Sequence, residues 1–273
     1  MKLLFFTGSR GEWGYIRPIL EKCKKMKINY KLCATNMHLL DSFGLSIKEI
    51  EKDGFKVDDK IYMALDGYNS FTMIKSMGVL LTSFSDTLNR VKPDWVVVAG
   101  DRAESLIATI ASSYANIPVA HIQGGEVTGT IDESIRHAVT KLSHIHFPAT
   151  DDAAQRIILM GENKDLVFNT GCPYIDEIQQ IKLKSKKELS AKYGFEEEKD
   201  LIIFTQHSVT TEFKESSYQV EQTIEAIKDL TDKQVICFFS NTDAGGQEII
   251  KKIKKQQNFT IIPNMLSKDF LSL

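Results

Sequence analysis

The sequence predicts an α/β protein built on parallel sheets, arranged as two Rossmann-like domains of which the second is incomplete in this chain. Three observations carry that expectation. Short apolar runs alternate with longer helix-period segments, the pattern of repeated βαβ units. Several of these runs stop abruptly at Gly or polar residues, as at Thr7-Gly8, Gly100-Asp101 and Gln123-Gly124. After Pro173 the texture changes to a Lys/Glu-rich stretch that lasts to Asp200, and a second βα series then begins. A length of 273 residues suits two domains of ordinary size. The change of texture predicts domains over 1–175 and 176–273.

Taken in order, residues 3–7 read as a first strand, followed by a Gly-bearing turn and a helix over 16–26. Residues 30–34 form a second strand. Residues 71–90 have helical periodicity, with Met73, Met77, Leu80, Leu81 and Phe84 near one face. Pro93 breaks the chain, and 95–99 is a buried strand. Residues 103–114 are a helix rich in small residues, suited to close packing on a sheet. Strands over 117–122, 144–148 and 167–169 are separated by helices over 133–142 and 151–160. The second series has strands at 201–205, 234–239 and 259–262 and a helix over 246–255. Three strands with two helices make a poor free-standing core, so the second domain is expected to be incomplete. The apolar surface this would leave predicts that something covers it, most simply another copy of the chain in a dimer or tetramer.

Composition excludes several partners. A net charge of −2 offers no electrostatic case for nucleic acid or an anionic membrane. The basic run over 182–187 is balanced by Glu196–Glu198 and reads as a solvated helix face. The four cysteines are scattered, with no CxxC pair, which fits free thiols in a reducing, cytoplasmic compartment. The apolar run near the N-terminus is too short for a signal peptide, and no window reaches the length of a membrane span.

The densest chemistry lies over 119–147, where His121, His137, His144, His146, Glu126, Asp132, Glu133, Arg136 and Lys141 surround Gly124-Gly125. Proton transfer at neutral pH uses carboxylates and imidazoles held within hydrogen-bond reach of a substrate. Asp132 with Arg136, and Glu133 with His137, stand at i and i+4, a spacing that also serves ordinary helix ion pairs. His144 and His146 share a strand face, but no spacing typical of a zinc site appears. Thr7-Gly8-Ser9-Arg10 supports two readings: a phosphate cradle, with free N–H groups at a helix N-terminus, or a tight βα turn. The spacing is not GxGxxG, so NAD is not implied. Asp101 either caps the next helix or faces the same crevice as Arg10, with Arg102 beside it. His207 and Asn241, at two strand ends of the second series, predict an opposing wall of a cleft.

The blocks GDRAE (100–104), HIQGGEVTGTIDESIRHAVTKLSHIHF (121–147), RIILMGE (156–162), VFNTGCPYID (167–176) and FSNTDAGG (239–246) resemble the hydrolysing UDP-N-acetylglucosamine 2-epimerases of sialic and legionaminic acid synthesis. The resemblance implies a GT-B-like fold with a UDP-sugar substrate and no metal or redox cofactor. It implies anti elimination of UDP across C1–C2, followed by water addition, to give a free manno-configured sugar. By position it implies that Asp101 and Asp132 are acid/base carboxylates and that Arg136 clamps beside Asp132. It further implies that Arg10, Arg102, His207 and Asn241 contact the nucleotide diphosphate. Gln123 stands where some members carry Glu, so either Glu126 takes that role or the proton travels another way; Gln123 itself is left as a substrate contact. Glu12-Trp13 replaces a common Asp-Tyr, which points to a different sugar. Family members continue past the position of Leu273 into a GNSSSG-type loop and a closing helix, so the resemblance implies a C-terminal truncation.

Overall fold

The computed structural model describes residues 1–67, 69–230 and 232–273. Its elements are β1 (Lys2–Thr7), α1 (Arg10–Lys25), β2 (Asn29–Thr35), α2 (Ile47–Lys52), β3 (Asp59–Ile61), α3 (Ser70–Val91), β4 (Trp95–Ala99) and α4 (Ala103–Tyr114). There follow β5 (Val119–Ile122), α5 (Ile131–Leu142), β6 (Ile145–Phe147), α6 (Asp151–Leu159), α7 (Pro173–Gln180) and α8 (Lys186–Tyr193). The last are β7 (Leu201–Phe204), α9 (Ser216–Lys228), β8 (Gln234–Phe238), α10 (Gly246–Ile253), β9 (Phe259–Ile262) and α11 (Ser267–Ser272). The chain forms two compact units: Met1–Leu39, Ser46–Ala64 and Ile74–Gln180 in one, and Leu40–Leu45, Leu65–Met73 and Ile181–Leu273 in the other.

The first unit holds a parallel sheet in the order β3-β2-β1-β4-β5-β6, the Rossmann order. Its strands read as near-continuous apolar runs because both faces are covered. Leu4 and Phe6, Val96 and Val98, and Val119 point to one face, against Leu80, Phe84 and Leu88 of α3, Ile107 and Ala111 of α4 and Val139 of α5. Phe5, Val97, Ala99, Ala120 and Ile122 point to the other, against Trp13, Ile16 and Leu20 of α1 and Ile50 of α2. The strand order reverses between β1 and β4, so the loops after β1, β4 and β5 gather at the carboxyl edge beside that point. This is where open α/β sheets place ligands.

The second unit has a parallel sheet in the order β7-β8-β9. Phe204, Val235, Cys237 and Phe259 pack with Val220 and Ile224 of α9 and Ile249 and Ile253 of α10. On the other face Ile236, Phe238 and Ile262 pack with Leu189 of α8, Phe195 and Met265. Among the described residues this sheet is covered on both faces. Part of the covering comes from α8, inside the Lys/Glu-rich stretch, where Leu189 is buried and Tyr193 packs beside it. The opposite face is covered by α10 and by α9, which sequence reading did not mark as a helix.

Two further expectations are corrected. Residues 167–169 form no strand. Val167 makes one isolated bridge to His146, and Phe168 N donates to His146 O at 2.8 Å before the chain turns away. On α3 the buried stripe is Ser76, Leu80, Phe84, Thr87 and Leu88, while Leu81 faces outward. No helix among the described residues is long and apolar enough to cross a membrane.

Candidate functional site

The loop after β1 folds back on itself. Ser9 caps α1: its Oγ accepts from Glu12 N at 3.4 Å, and Glu12 Oε2 accepts in return from Ser9 N at 2.9 Å and Gly8 N at 2.5 Å. The other carboxylate oxygen accepts from Ser105 Oγ at 2.8 Å. Sequence left two readings of this turn open, a phosphate cradle and a tight βα turn; in the structure the Gly8 and Ser9 amides both donate to Glu12. Glu12 and Glu104 flank Gly8 and are almost fully buried, at 2% and 4% exposure. Burial, together with the charge of Glu104, pushes the Glu12 carboxyl up to about 7. Glu104 accepts from Asn36 Nδ2 and lies 3.6 Å from Arg102 Nε. Arg10 opens α1, half-buried, with Glu49 of α2 as its charge partner. Burial holds its guanidinium pKa below the ordinary value.

The loop after β4 is built differently. Gly100 adopts φ +73° and turns the chain, and Arg102 takes the N-cap position of α4 without a side-chain cap bond. Asp101 is thus not the helix cap that its place in the sequence allowed. Its Oδ2 accepts from Arg136 Nη2, and Arg136 Nη1 donates to the Glu126 carbonyl at 2.7 Å. Arg136 is 4% exposed, whereas the Asp101 side chain keeps 30% of its surface. A buried guanidinium on α5 therefore fixes a half-open carboxylate at the end of β4, in a charge-assisted bond.

The loop after β5 supplies the rest. Gln123 lies in the left-handed region, φ +64°, and its N donates to Phe147 O at 3.0 Å. The side chain is buried, and its Nε2 has no hydrogen-bond partner. Strain and an orphaned amide at one position are features that functional sites concentrate. Asp132, in the first turn of α5, has Thr130 as a hydrogen-bond neighbour at 3.3 Å, and Glu133 accepts from Thr128 N at 2.6 Å. Glu126 is half-buried, with Thr150 Oγ1 at 3.3 Å from its Oε1.

The glycine pair has a packing cause. A Cβ on Gly124 would come 2.8 Å from His121 Nδ1, and one on Gly125 would come 2.3 Å from Ala153 O. His121 is fully buried between Gly100 O, 2.8 Å from Nε2, and Thr140 Oγ1, 3.1 Å from Nδ1; burial lowers it to about 4. His144 Nδ1 accepts from Val119 N at 3.2 Å, and His146 Nε2 lies 3.3 Å from Glu162. His121 thus ties the loop after β4 to α5, His144 meets the start of β5, and His146 meets the chain just past α6.

In the second unit, His207 ends β7 and Ser240 ends β8, with Nδ1 and Oγ 3.5 Å apart. Asn241 Nδ2 donates to Asp243 at 2.5 Å, and Asp243 N donates back to Asn241 Oδ1 at 3.2 Å. The two predicted residues are thus on neighbouring strand ends of one sheet.

Sequence reading missed Glu12 and Glu104 as a buried carboxylate pair, and it missed Tyr15. Burial raises the pKa of the Tyr15 phenol, as do Cys172, Asp101 and Glu126, while Arg136 acts in the opposite direction. An aromatic residue in an amphipathic helix reads as core, so no local signal marked it.

A sequence model described as UDP-N-acetylglucosamine 2-epimerase matches residues 21–273. The chain is 35% identical, over 99% of its length and 72% of the relative, to the UDP-N,N'-diacetylbacillosamine 2-epimerase (hydrolyzing) of Legionella pneumophila. It is 32% identical, over 100% of its length and 72% of the relative, to the GDP/UDP-N,N'-diacetylbacillosamine 2-epimerase (hydrolyzing) of Campylobacter jejuni. The fold is shared with the UDP-GlcNAc 2-epimerase of Methanocaldococcus jannaschii, solved with UDP-GlcNAc and UDP. There the TM-score is 0.80 at 21% identity, covering 100% of this chain and 75% of that one. A carboxylate pinned at the carboxyl edge of a Rossmann sheet, on a chain matched almost end to end, has one family reading: this enzyme belongs to the UDP-N-acetylglucosamine 2-epimerase family.

Proposed function

We propose that the chain is a hydrolysing 2-epimerase acting on UDP-GlcNAc or on UDP-2,4-diacetamido-2,4,6-trideoxyglucose. It would release UDP and the free manno-configured sugar for nonulosonic acid synthesis. The observation that carries this reading is Asp101, fixed by Arg136 and still open to a ligand at the end of β4. The two relatives named as hydrolysing enzymes support it.

In this reading one carboxylate takes the proton from C2 while the C1–O bond to UDP breaks, leaving a glycal. Water then adds at C1, and a proton returns to the opposite face of C2. Asp101 and Asp132 serve as the acid/base pair, and Arg136 holds Asp101 in place. Glu126 is the further carboxylate available for proton transfer, because the amide of Gln123 cannot act as a base. Gln123 contacts the substrate. Arg10, Arg102, His207 and Asn241 receive the diphosphate, whose departure needs cationic groups and donors. The first loop contributes through Arg10, while Glu12 takes the Gly8 and Ser9 amides.

Product analysis in D2O tests the proposal with each UDP-sugar. Free 2-epimer carrying deuterium at C2, with UDP in equal amount, is the expected result. A nucleotide-linked epimer would instead assign the non-hydrolysing reaction. UDP binding by calorimetry without any product would make the chain a nucleotide-sugar binder.

A further inference from the structure

A Cβ on Gly14 would come 3.3 Å from the Tyr174 ring, so α1 and α7 approach closely there. That approach sets the next residue, Tyr15, beside Cys172, which leads into α7. Tyr15 is half-buried, and its ring packs on the core face that includes Ala120 and Ile122 of β5. Charged or ionisable groups from separate segments act on its phenol: Cys172, Asp101 after β4, Arg136 on α5 and Glu126 after β5. Among the described residues no hydrogen-bond partner takes the hydroxyl. The loop after β5 holds a second uncommitted donor, the buried Nε2 of Gln123.

We infer that the Tyr15 hydroxyl and the Gln123 amide are substrate contacts that read an acylamino group on the hexose of the UDP-sugar. This rests on the nucleotide-sugar reading of the site. Both groups are neutral donors. Burial and the nearby carboxylates raise the Tyr15 pKa, so the phenol keeps its proton at neutral pH and is able to donate to an acceptor oxygen. Neutral donors suit an uncharged carbonyl better than a phosphate, which calls for cations. A polar site left unfilled discriminates strongly against analogues that lack the matching group. In this role Tyr15 determines specificity, while Asp101 and Asp132 perform the chemistry.

Calorimetry on wild type and Tyr15→Phe, with UDP, UDP-glucose and UDP-GlcNAc, tests the inference without needing turnover. Wild type should bind UDP-GlcNAc more tightly than UDP-glucose. In Tyr15→Phe that preference should shrink by about fivefold, the worth of one hydrogen bond, with UDP affinity and melting temperature unchanged. Equal weakening toward all three ligands, or an unchanged preference, would overturn it. So would a wild type that does not distinguish UDP-GlcNAc from UDP-glucose. If the preference behaves as expected but no free sugar is released, the hydrolytic reading fails and this inference stands.

Discussion

The loops after β1 and after β4 sit on the same edge of the same sheet and look alike in sequence, each a Gly followed closely by an Arg. Their chemistry is opposite. After β1, the Gly8 and Ser9 amides are both taken by Glu12, and the carboxylate itself is sealed at 2% exposure. After β4, Asp101 is held from one side by Arg136 and stays open on the other. A glycine-and-arginine turn is therefore not in itself a binding loop. What distinguishes the two is whether nearby side chains already satisfy the polar groups.

The largest expected effect breaks the comparison if it fails. Asp101→Asn should lower turnover about a thousandfold, within the range for a lost acid/base group, with the circular dichroism spectrum unchanged. Turnover near the wild-type rate would show that the open carboxylate does no chemistry.

The glycine pair gives the next. Gly125 combines φ +84° with a Cβ position 2.3 Å from Ala153 O. Gly125→Ala should cost about 3 kcal/mol or more in urea unfolding, because both backbone and packing must shift. Gly171 is its control: φ is +76° but nothing lies near the added Cβ, so Gly171→Ala should cost about 1 kcal/mol. Similar costs at both sites would mean that the strand-end loop is not tightly packed.

The buried first loop makes a prediction in pH. Burial beside Glu104 pushes the Glu12 carboxyl up to about 7 from its ordinary value of 4.5, so the folded state holds this proton more tightly. Its contribution to stability is present below pH 4.5 and is lost as pH rises toward 7. Glu12→Gln removes that loss, so its stability relative to wild type should increase across this window, by about 3 kcal/mol at most. A difference that stays flat from pH 4.5 to 7 would place Glu12 in contact with solvent.

Much of the fold was legible because its signals are local. The run that became β4 is too apolar for anything but a buried strand, and residues 103–114 coincide with α4. The failures have local causes too. Residues 167–169 are apolar enough for a strand, yet after the bridge at Val167 the chain leaves the edge of β6. α8 went unread because a helix that buries only Leu189 shows almost no apolar stripe. The site was legible as residue types near strand ends: Asp101, Gln123, Glu126, Asp132 and Arg136 all lie in or beside the loops after β4 and β5. The partners were not. Arg136 and Asp101 are thirty-five positions apart, and no periodicity relates them.

By itself, then, the sequence determined the strand and helix order and the family, because alternating apolar period and long motif blocks are properties of neighbouring residues. Only the tertiary structure decided which polar groups remain available. It assigned the first loop's amides to Glu12, the Arg136 fork to Asp101, and the glycine pair to helix packing. Among the described residues it also left the Tyr15 hydroxyl and the Gln123 Nε2 without hydrogen-bond partners. Hydrogen bonding and burial depend on what the fold brings alongside, and residues far apart in the chain supply it.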